Sequence, residues 1–300
     1  MGRITDYTAV TSTQGTTDLA DADVFLLDGT NGSRKITAKE LANALMDKGP
    51  KNVASNPTVK NGIYRGANLG SGDTFALAST ENQRAAINSG TFEGLFIGDY
   101  WTVGGKVYRI ADFNYYKGIG DSGHAVNYNH VVLVPDASVG NDKMNATNTT
   151  SGAYVNSYIY SDSESKLNVF RDSLATLFSG YAGTFRTYLP NATDDEEGGD
   201  HAQSAGAWYD SIAELMNELM VYGSYIRALP HNGTFIATAE KSQLALFRLA
   251  HNRQTSVGWL RDVVSGSNFA FAYTYGYAAT YNATYSNAVR PAFVVKGTNS

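Results

Sequence analysis

Residues able to carry out chemistry are few and scattered in this chain. The five histidines are His124, His130, His201, His231 and His251. No two stand four apart and none forms HExxH, so the metalloprotease arrangement of two ligands on one helix face is missing. His124 and His130 read as separate polar histidines, one in a loop and one opening a strand. The acidic run DDEEGGDH, from Asp194 to His201, offers hard oxygen ligands but lacks the alternating DxDxDG spacing of a calcium loop. It reads as a solvated acidic loop. The glycine-rich pieces GSGD and GIGDSG match neither GxxxxGK[ST] nor GxGxxG after a strand, so no phosphate cradle is expected. No GxSxG elbow occurs, and with no cysteine there is neither a thiol nucleophile, a thiolate metal site nor a disulfide. A glycan hydrolase would need paired carboxylates, and Asp194–Glu197 is the one dense acidic group. The expectation is a protein that is not an enzyme and holds no metal and no cofactor.

What the chain has in abundance is tyrosine. Twenty tyrosines, with many Gly, Asn, Ser and Thr, stand where charge is short, at 17% of residues. That mix favours strands and polar loops over helix bundles. The net charge of −5 and the absence of a basic stripe argue against a nucleic-acid partner. No apolar run approaches 18 residues, so membrane insertion is not expected. The start, MGRITDYTAVTSTQG, has no signal-peptide core, which predicts synthesis and folding in a cytoplasm.

Residues 1–48 stand apart. DVFLLDG reads as a short strand, Asn31-Gly32 as a turn, and TAKELANALM as a helix capped by Thr37 with Glu40 at capping-box spacing. This is too little for a core of its own, and it reads either as an adornment of the main domain or as a docking module that packs on a partner or on copies of itself. Residues 49–80, rich in Gly, Asn, Ser and Pro, read as a linker with short strands. The main domain, 81–300, is expected to be α+β. ENQRAAINSG predicts a short helix ending at Gly90, LFIGDYWTVGGKVYRIADF a hairpin turning at Gly104-Gly105, and HVVLVPD a buried strand. Apolar spacing predicts two main helices, Glu164–Phe178 and Ala207–Gly223, the second with Trp208, Ile212, Leu215, Met216 and Leu219 on its inner face. A third, short helix is expected over Thr238–Leu249. From Trp259 onward the chain reads as strands and loops.

The segment 265–288 is the most distinctive. Its 24 residues use seven types: Ala, Tyr, Asn, Ser, Thr, Phe and Gly. Strand alternation would set Tyr273, Tyr275 and Tyr277 on one face. Buried, each hydroxyl would need a partner, and the small neighbours could cover little. Displayed, tyrosine supplies large, rigid contact area, while Ser, Gly and Asn supply adaptable hydrogen bonds, as in antibody loops. All 24 residues can also be reached from an asparagine codon by substituting its two adenines, a route that cannot give Lys, Glu, Gln, Met or Trp. The segment lies between firmer text, WLRDVVS and AVRPAFVV.

The run GWLRDVVSGSNFA…YNATYSNAVRPAF resembles the C-terminal end of the variable proteins of diversity-generating retroelements, a family that includes phage tropism determinants. Upstream, GTFEGLFIGDYWTVGGKVYRIADFNYY, NHVVLVPD, AWYDSIAELMNELMVYG and KSQLALFRLAHN look like phage and prophage proteins of this kind. DLADADVFLLDGTNGSRKITAKELANAL looks like the head of phage tail proteins. The resemblance implies a C-type-lectin-like fold of the formylglycine-generating-enzyme type. Trp259, Leu260, Arg261, Arg290, Pro291 and Phe293 match the family's scaffold words. Ser267, Phe271, Tyr273, Thr274, Tyr275, Tyr277, Ala279, Thr280, Tyr281, Tyr285 and Asn287 correspond to its diversified positions. Trp259 and Phe293 are expected in the core, and Arg261 and Arg290 at the loop ends, on backbone or carboxylate groups. The sugar motifs Glu-Pro-Asn and Gln-Pro-Asp, and the cysteines of the formylglycine enzyme, are missing, so neither activity is implied. The implied role is a receptor-binding protein of a phage tail, synthesised in a bacterial cytoplasm. It would recognise a host cell-surface protein or glycan, attach to other virion proteins through residues 1–48, and form a homo-oligomer, a trimer by analogy. The alternative is a structural tail or capsid decoration protein of the same fold that binds no receptor.

Overall fold

The computed structural model describes residues 24–27, 34–37, 60–193, 203–228, 242–250 and 257–299. Contacts divide the chain into two units, Met1–Pro50 and Lys51–Ser300. In the first, β1 (Val24–Leu27) pairs antiparallel with β2 (Arg34–Thr37), Leu27 opposite Arg34. Thr37, expected to cap a helix, closes β2, and the rest of that expected helix lies outside the described residues.

The second unit is mixed α+β. It begins earlier than the expected boundary at residue 81. Lys60 is buried, with its ammonium on the Leu95 carbonyl at 3.3 Å. The Asn61 amide accepts from the Phe113 N–H at 2.9 Å and donates to Asp112 at 2.7 Å. The strand β3 (Asn68–Gly72) lies parallel to β4 (Tyr100–Val103), and Phe75 is fully buried. From residue 60 the supposed linker is therefore part of the domain. Its Gly/Asn composition reads as loop because the groups satisfying it are distant in sequence.

The hairpin of β4 and β5 (Lys106–Phe113) turns at Gly104-Gly105, both at positive φ (+55° and +75°), as a two-residue turn matched to strand twist requires. Next come β6 (His130–Pro135), buried throughout, and the short β7 (Gly140–Asp142). The helix Lys166–Leu177 is N-capped by Ser165, whose hydroxyl accepts from the Asn168 N–H. It presents Leu167, Phe170 and Leu174 inward, at helical spacing. The helix Glu81–Ser89, with a capping box at Thr80 and a left-handed Gly90, also agrees with expectation.

The expected second main helix, Ala207–Gly223, does not form. After β8 (Ala182–Gly183), β9 (Phe185–Thr193) pairs with β10 (Gln203–Ser211), so that Trp208 faces Tyr188 across a ribbon. β11 (Ala213–Leu215) then joins the main sheet, and only Glu218–Tyr222 is helical, capped by Asn217 and Gly223. Residues 207–219 have helical apolar spacing, but β9 and the main sheet supply pairing partners, and tertiary context overrides the local pattern. Of the expected helix over 238–249, residues Ala245–Leu249 are helical and 238–241 lie outside the described residues.

The chain ends with β12 (Gly258–Val263), β13 (Asn268–Ala272), β14 (Ala278–Asn282), β15 (Asn287–Val289) and β16 (Pro291–Lys296). The main sheet runs β11-β16-β6-β5-β4-β3, with β8 also on β16. Beside it, β12-β13-β14 forms a separate three-stranded sheet, and β15 pairs with β7. Two cores follow. The larger packs Phe75, Trp101, Tyr108, Phe170, Phe178 and Phe293 against the main sheet, with ring centroids of Phe178 and Phe293 4.9 Å apart. The smaller lies under the three-stranded sheet, around Trp259, Phe269, Phe271, Met144 and Leu189.

Candidate functional site

The residues 265–288 lie across β13, β14 and their connections, and their backbone is tied to fixed parts of the chain. Gly258 opens β12 at φ +81°, where a Cβ would come within 2.0 Å of the Ala288 carbonyl oxygen, so only glycine lets β12 pass that close. The Trp259 indole N–H donates to the Asp142 carbonyl at 2.8 Å. Arg261 is buried, its backbone N–H on the Met216 carbonyl at 3.0 Å and its guanidinium on the Leu215 carbonyl at 2.9 Å. Arg290 is likewise buried and donates to the Pro135 carbonyl at 2.6 Å. Leu260, Pro291 and Phe293 are buried, and Phe293 lies in the larger core. The six scaffold positions are thus all interior, and both arginines reach backbone carbonyls.

The loop before the helix Lys166–Leu177 holds the segment from behind. The N–H groups of Met144 and Asn145 both donate to the Ala283 carbonyl at 2.9 Å, and the Asn148 side chain accepts from the Ala283 N–H at 3.1 Å. The Thr150 hydroxyl donates to the Ser265 carbonyl at 2.7 Å, and its N–H to the Gly266 carbonyl at 3.0 Å. Sequence reading did not single out Asn148 or Thr150. KMNATNTT has only the composition of an ordinary polar loop, and its partners lie more than a hundred residues away.

The tyrosines do not lie along one strand. β13 ends at Ala272, and residues 273–277 form a hairpin turn. The Tyr273 N–H donates to the Tyr277 carbonyl at 3.0 Å, the Gly276 N–H donates to the Tyr273 carbonyl at 2.7 Å, and Gly276 is at φ +86°. That is a three-residue loop with glycine in the left-handed position. The alternation expected from period two fails because the chain reverses there. The rings nonetheless meet: Tyr273 and Tyr277 stack at 5.1 Å, Tyr273 and Tyr275 lie at 5.6 Å, and Tyr281 and Tyr285 at 4.8 Å.

The segment sorts into what is presented and what is packed. Tyr275 is 80% exposed, Tyr277 54% and Tyr285 55%, and Thr274 is exposed. Ser267, Tyr273, Ala279, Thr280, Tyr281 and Asn287 are half-buried. Phe271 differs from the rest. It is only 6% exposed and sits edge-on to Trp259 at 5.8 Å and to Tyr281 at 5.2 Å. The resemblance would make it a variable display position, and its burial corrects that: it is a core residue of the small sheet. Aromatic contacts therefore run from buried Trp259 through Phe271 to Tyr273 and Tyr281, and on to the exposed rings. From Val263 to Val289 no side chain is charged. The exposed face can offer ring faces, hydroxyls and amides to a ligand.

Two buried titratable groups elsewhere in the described residues are held by backbone and side-chain partners. Burial pushes the His130 imidazole down to about 4, so it is neutral. It accepts from the Tyr116 N–H at 3.2 Å, and its other ring nitrogen faces the Tyr128 carbonyl at 3.2 Å. Burial pushes the Asp112 carboxyl up to about 7, although it accepts from Asn61 at 2.7 Å and from the Ala245 N–H at 3.0 Å. Among the described residues no group of three or more His, Asp or Glu is placed to hold a metal, and no helix is long and apolar enough to cross a membrane. The acidic run Asp194–His201, together with His231 and His251, lies outside the described residues. Comparisons with models of protein families, with characterised proteins and with solved structures find no match.

Proposed function

We propose that this chain is a receptor-binding protein of a phage or prophage tail, with a C-type-lectin-like main domain whose tyrosine turn recognises a ligand on the host surface. The observation that carries the reading is a separation of duties. Tyr275, Tyr277 and Tyr285 are exposed, while the segment that carries them is held at Ser265, Gly266 and Ala283 by residues 144–150, and β12 before it is held by Arg261 on the Leu215 and Met216 carbonyls. A face built this way can change its side chains without loss of the fold, which is what a diversified binding surface needs. Large aromatic rings on a rigid support also bind with little loss of conformational entropy. The words WLRD and VRPAF, and the reach of every residue in 265–288 from an asparagine codon, support descent from a diversity-generating retroelement. Residues 1–48 would fasten the protein to other virion components. Several copies on one particle, as a homo-oligomer or along the tail, would raise a modest affinity by avidity.

The test is the double variant Tyr275→Ala/Tyr277→Ala. It should keep the melting temperature of the parent while particles carrying it lose adsorption to host cells. Retained adsorption together with failed particle assembly would refute the reading and favour a structural decoration protein that buries the tyrosines against a neighbour. Sequencing codons 259–293 across a population tests diversification separately: changes should fall at adenines within 265–288 and spare the flanks.

A further inference from the structure

Glu218 is fully buried, yet no basic side chain hydrogen-bonds to its carboxylate among the described residues. Three successive backbone N–H groups converge on it instead: Ile226 at 2.9 Å, Arg227 at 3.0 Å and Ala228 at 3.0 Å, all on Oε2, with Arg227 also 3.1 Å from Oε1. Such a nest of amides satisfies a buried anion and fixes the backbone that supplies it. At its other end Glu218 is tied to the three-stranded sheet. Its own N–H donates to the buried Asp262 carboxylate of β12 at 2.6 Å. From the loop so fixed, the Arg227 side chain reaches the Ala278 carbonyl, Nε to oxygen 3.4 Å. Ala278 directly follows Tyr277 and opens β14.

We infer that Glu218 is a positioning residue for the tyrosine turn. It holds the 226–228 loop so that Arg227 braces the outgoing strand at Ala278, closing a link from β12 to β14 around the turn. The idea rests on the turn being the binding face only for its functional meaning. The brace itself is a statement about the turn's order and can be measured without a ligand. A tool for this is at hand within the chain, because the nest uses the Arg227 backbone and the brace uses its side chain. Removing the side chain leaves the nest in place.

The experiment is amide hydrogen exchange on the full-length protein, read at Tyr273, whose N–H closes the turn, and at 226–228. Arg227→Ala should speed exchange at Tyr273 by roughly two- to threefold, the loss of one long bond from an exposed side chain, and leave 226–228 as in the parent. Glu218→Gln, which replaces one acceptor oxygen by a donor, should speed exchange at both places while strands β5 and β6 keep their protection. Unchanged exchange at Tyr273 in Arg227→Ala would overturn the inference even if Glu218→Gln does not fold. So would uniform acceleration through the whole domain in Glu218→Gln, which would make Glu218 a general stability residue. Failure of the binding reading looks different: the exchange pattern would hold while the Tyr275→Ala/Tyr277→Ala variant still adsorbs.

Discussion

Phe271 and Tyr275 stand four residues apart in the same hairpin, and the structure gives them opposite roles. Phe271 is 6% exposed, with its ring against Trp259, Tyr273 and Tyr281 at centroid distances of 5.8, 5.9 and 5.2 Å. Phe271→Ala removes most of a buried aromatic ring from a small core with few neighbours able to collapse into the space. The expected cost is about 3–5 kcal/mol. For a domain of this size, each kcal/mol lowers the melting temperature by roughly 2–4 °C, so the shift should be about 6–20 °C. Tyr275 is 80% exposed, and among the described residues its ring partner is Tyr273. Tyr275→Ala should alter stability by no more than about 0.5 kcal/mol. Urea unfolding followed by tryptophan fluorescence measures both, with Trp259 reporting directly on the core beneath Phe271. If Phe271→Ala costs under about 1 kcal/mol, or if the two variants cost the same, the division between frame and face is wrong. A correct result also bears on variation: position 271 would accept only large apolar side chains, whatever its codon permits.

Other outcomes follow from the same geometry. Gly258→Ala should destabilise by more than about 2 kcal/mol in thermal unfolding, because the added methyl meets the Ala288 carbonyl at a left-handed position. The Asp112 carboxyl is raised to about 7 by burial, so the folded state holds its proton where the unfolded chain releases it. Its contribution to stability is therefore full below about pH 4 and is lost as pH rises through about 7, on the order of 4 kcal/mol. Asp112→Asn should flatten that part of the stability profile measured by urea titration between those pH values. On the proposed receptor-binding reading, no side chain from Val263 to Val289 is charged and the Arg227 guanidinium at Ala278 brings one cation to the edge of the turn, so adsorption should fall by less than about threefold as salt is raised, and a steeper fall would show that another, charged surface does the binding.

Much of this protein could be read from its residues alone. The hairpin at Gly104-Gly105 was legible because two adjacent glycines between alternating apolar residues admit few other turns. The helix Lys166–Leu177 was legible because Leu167, Phe170 and Leu174 keep helical spacing; its Ser165 cap was seen only in the structure. The uncharged tyrosine segment and its firm flanks were likewise plain, since composition and codon reach are properties of the sequence. What sequence could not decide depended on distant partners. Residues 207–215 have helical apolar spacing, and only β9 and β16, lying beside them in space, make them strands. Residues 60–80 have the composition of a linker, and distant partners such as Leu95, Asp112, Phe113 and β4 show them to be part of the domain. Period two in 273–277 gave way to a turn that the left-handed Gly276 permits. Within one run of seven residue types, which rings face the solvent and which lie on Trp259 was settled by packing, because burial belongs to the neighbours a side chain finds and not to the side chain itself.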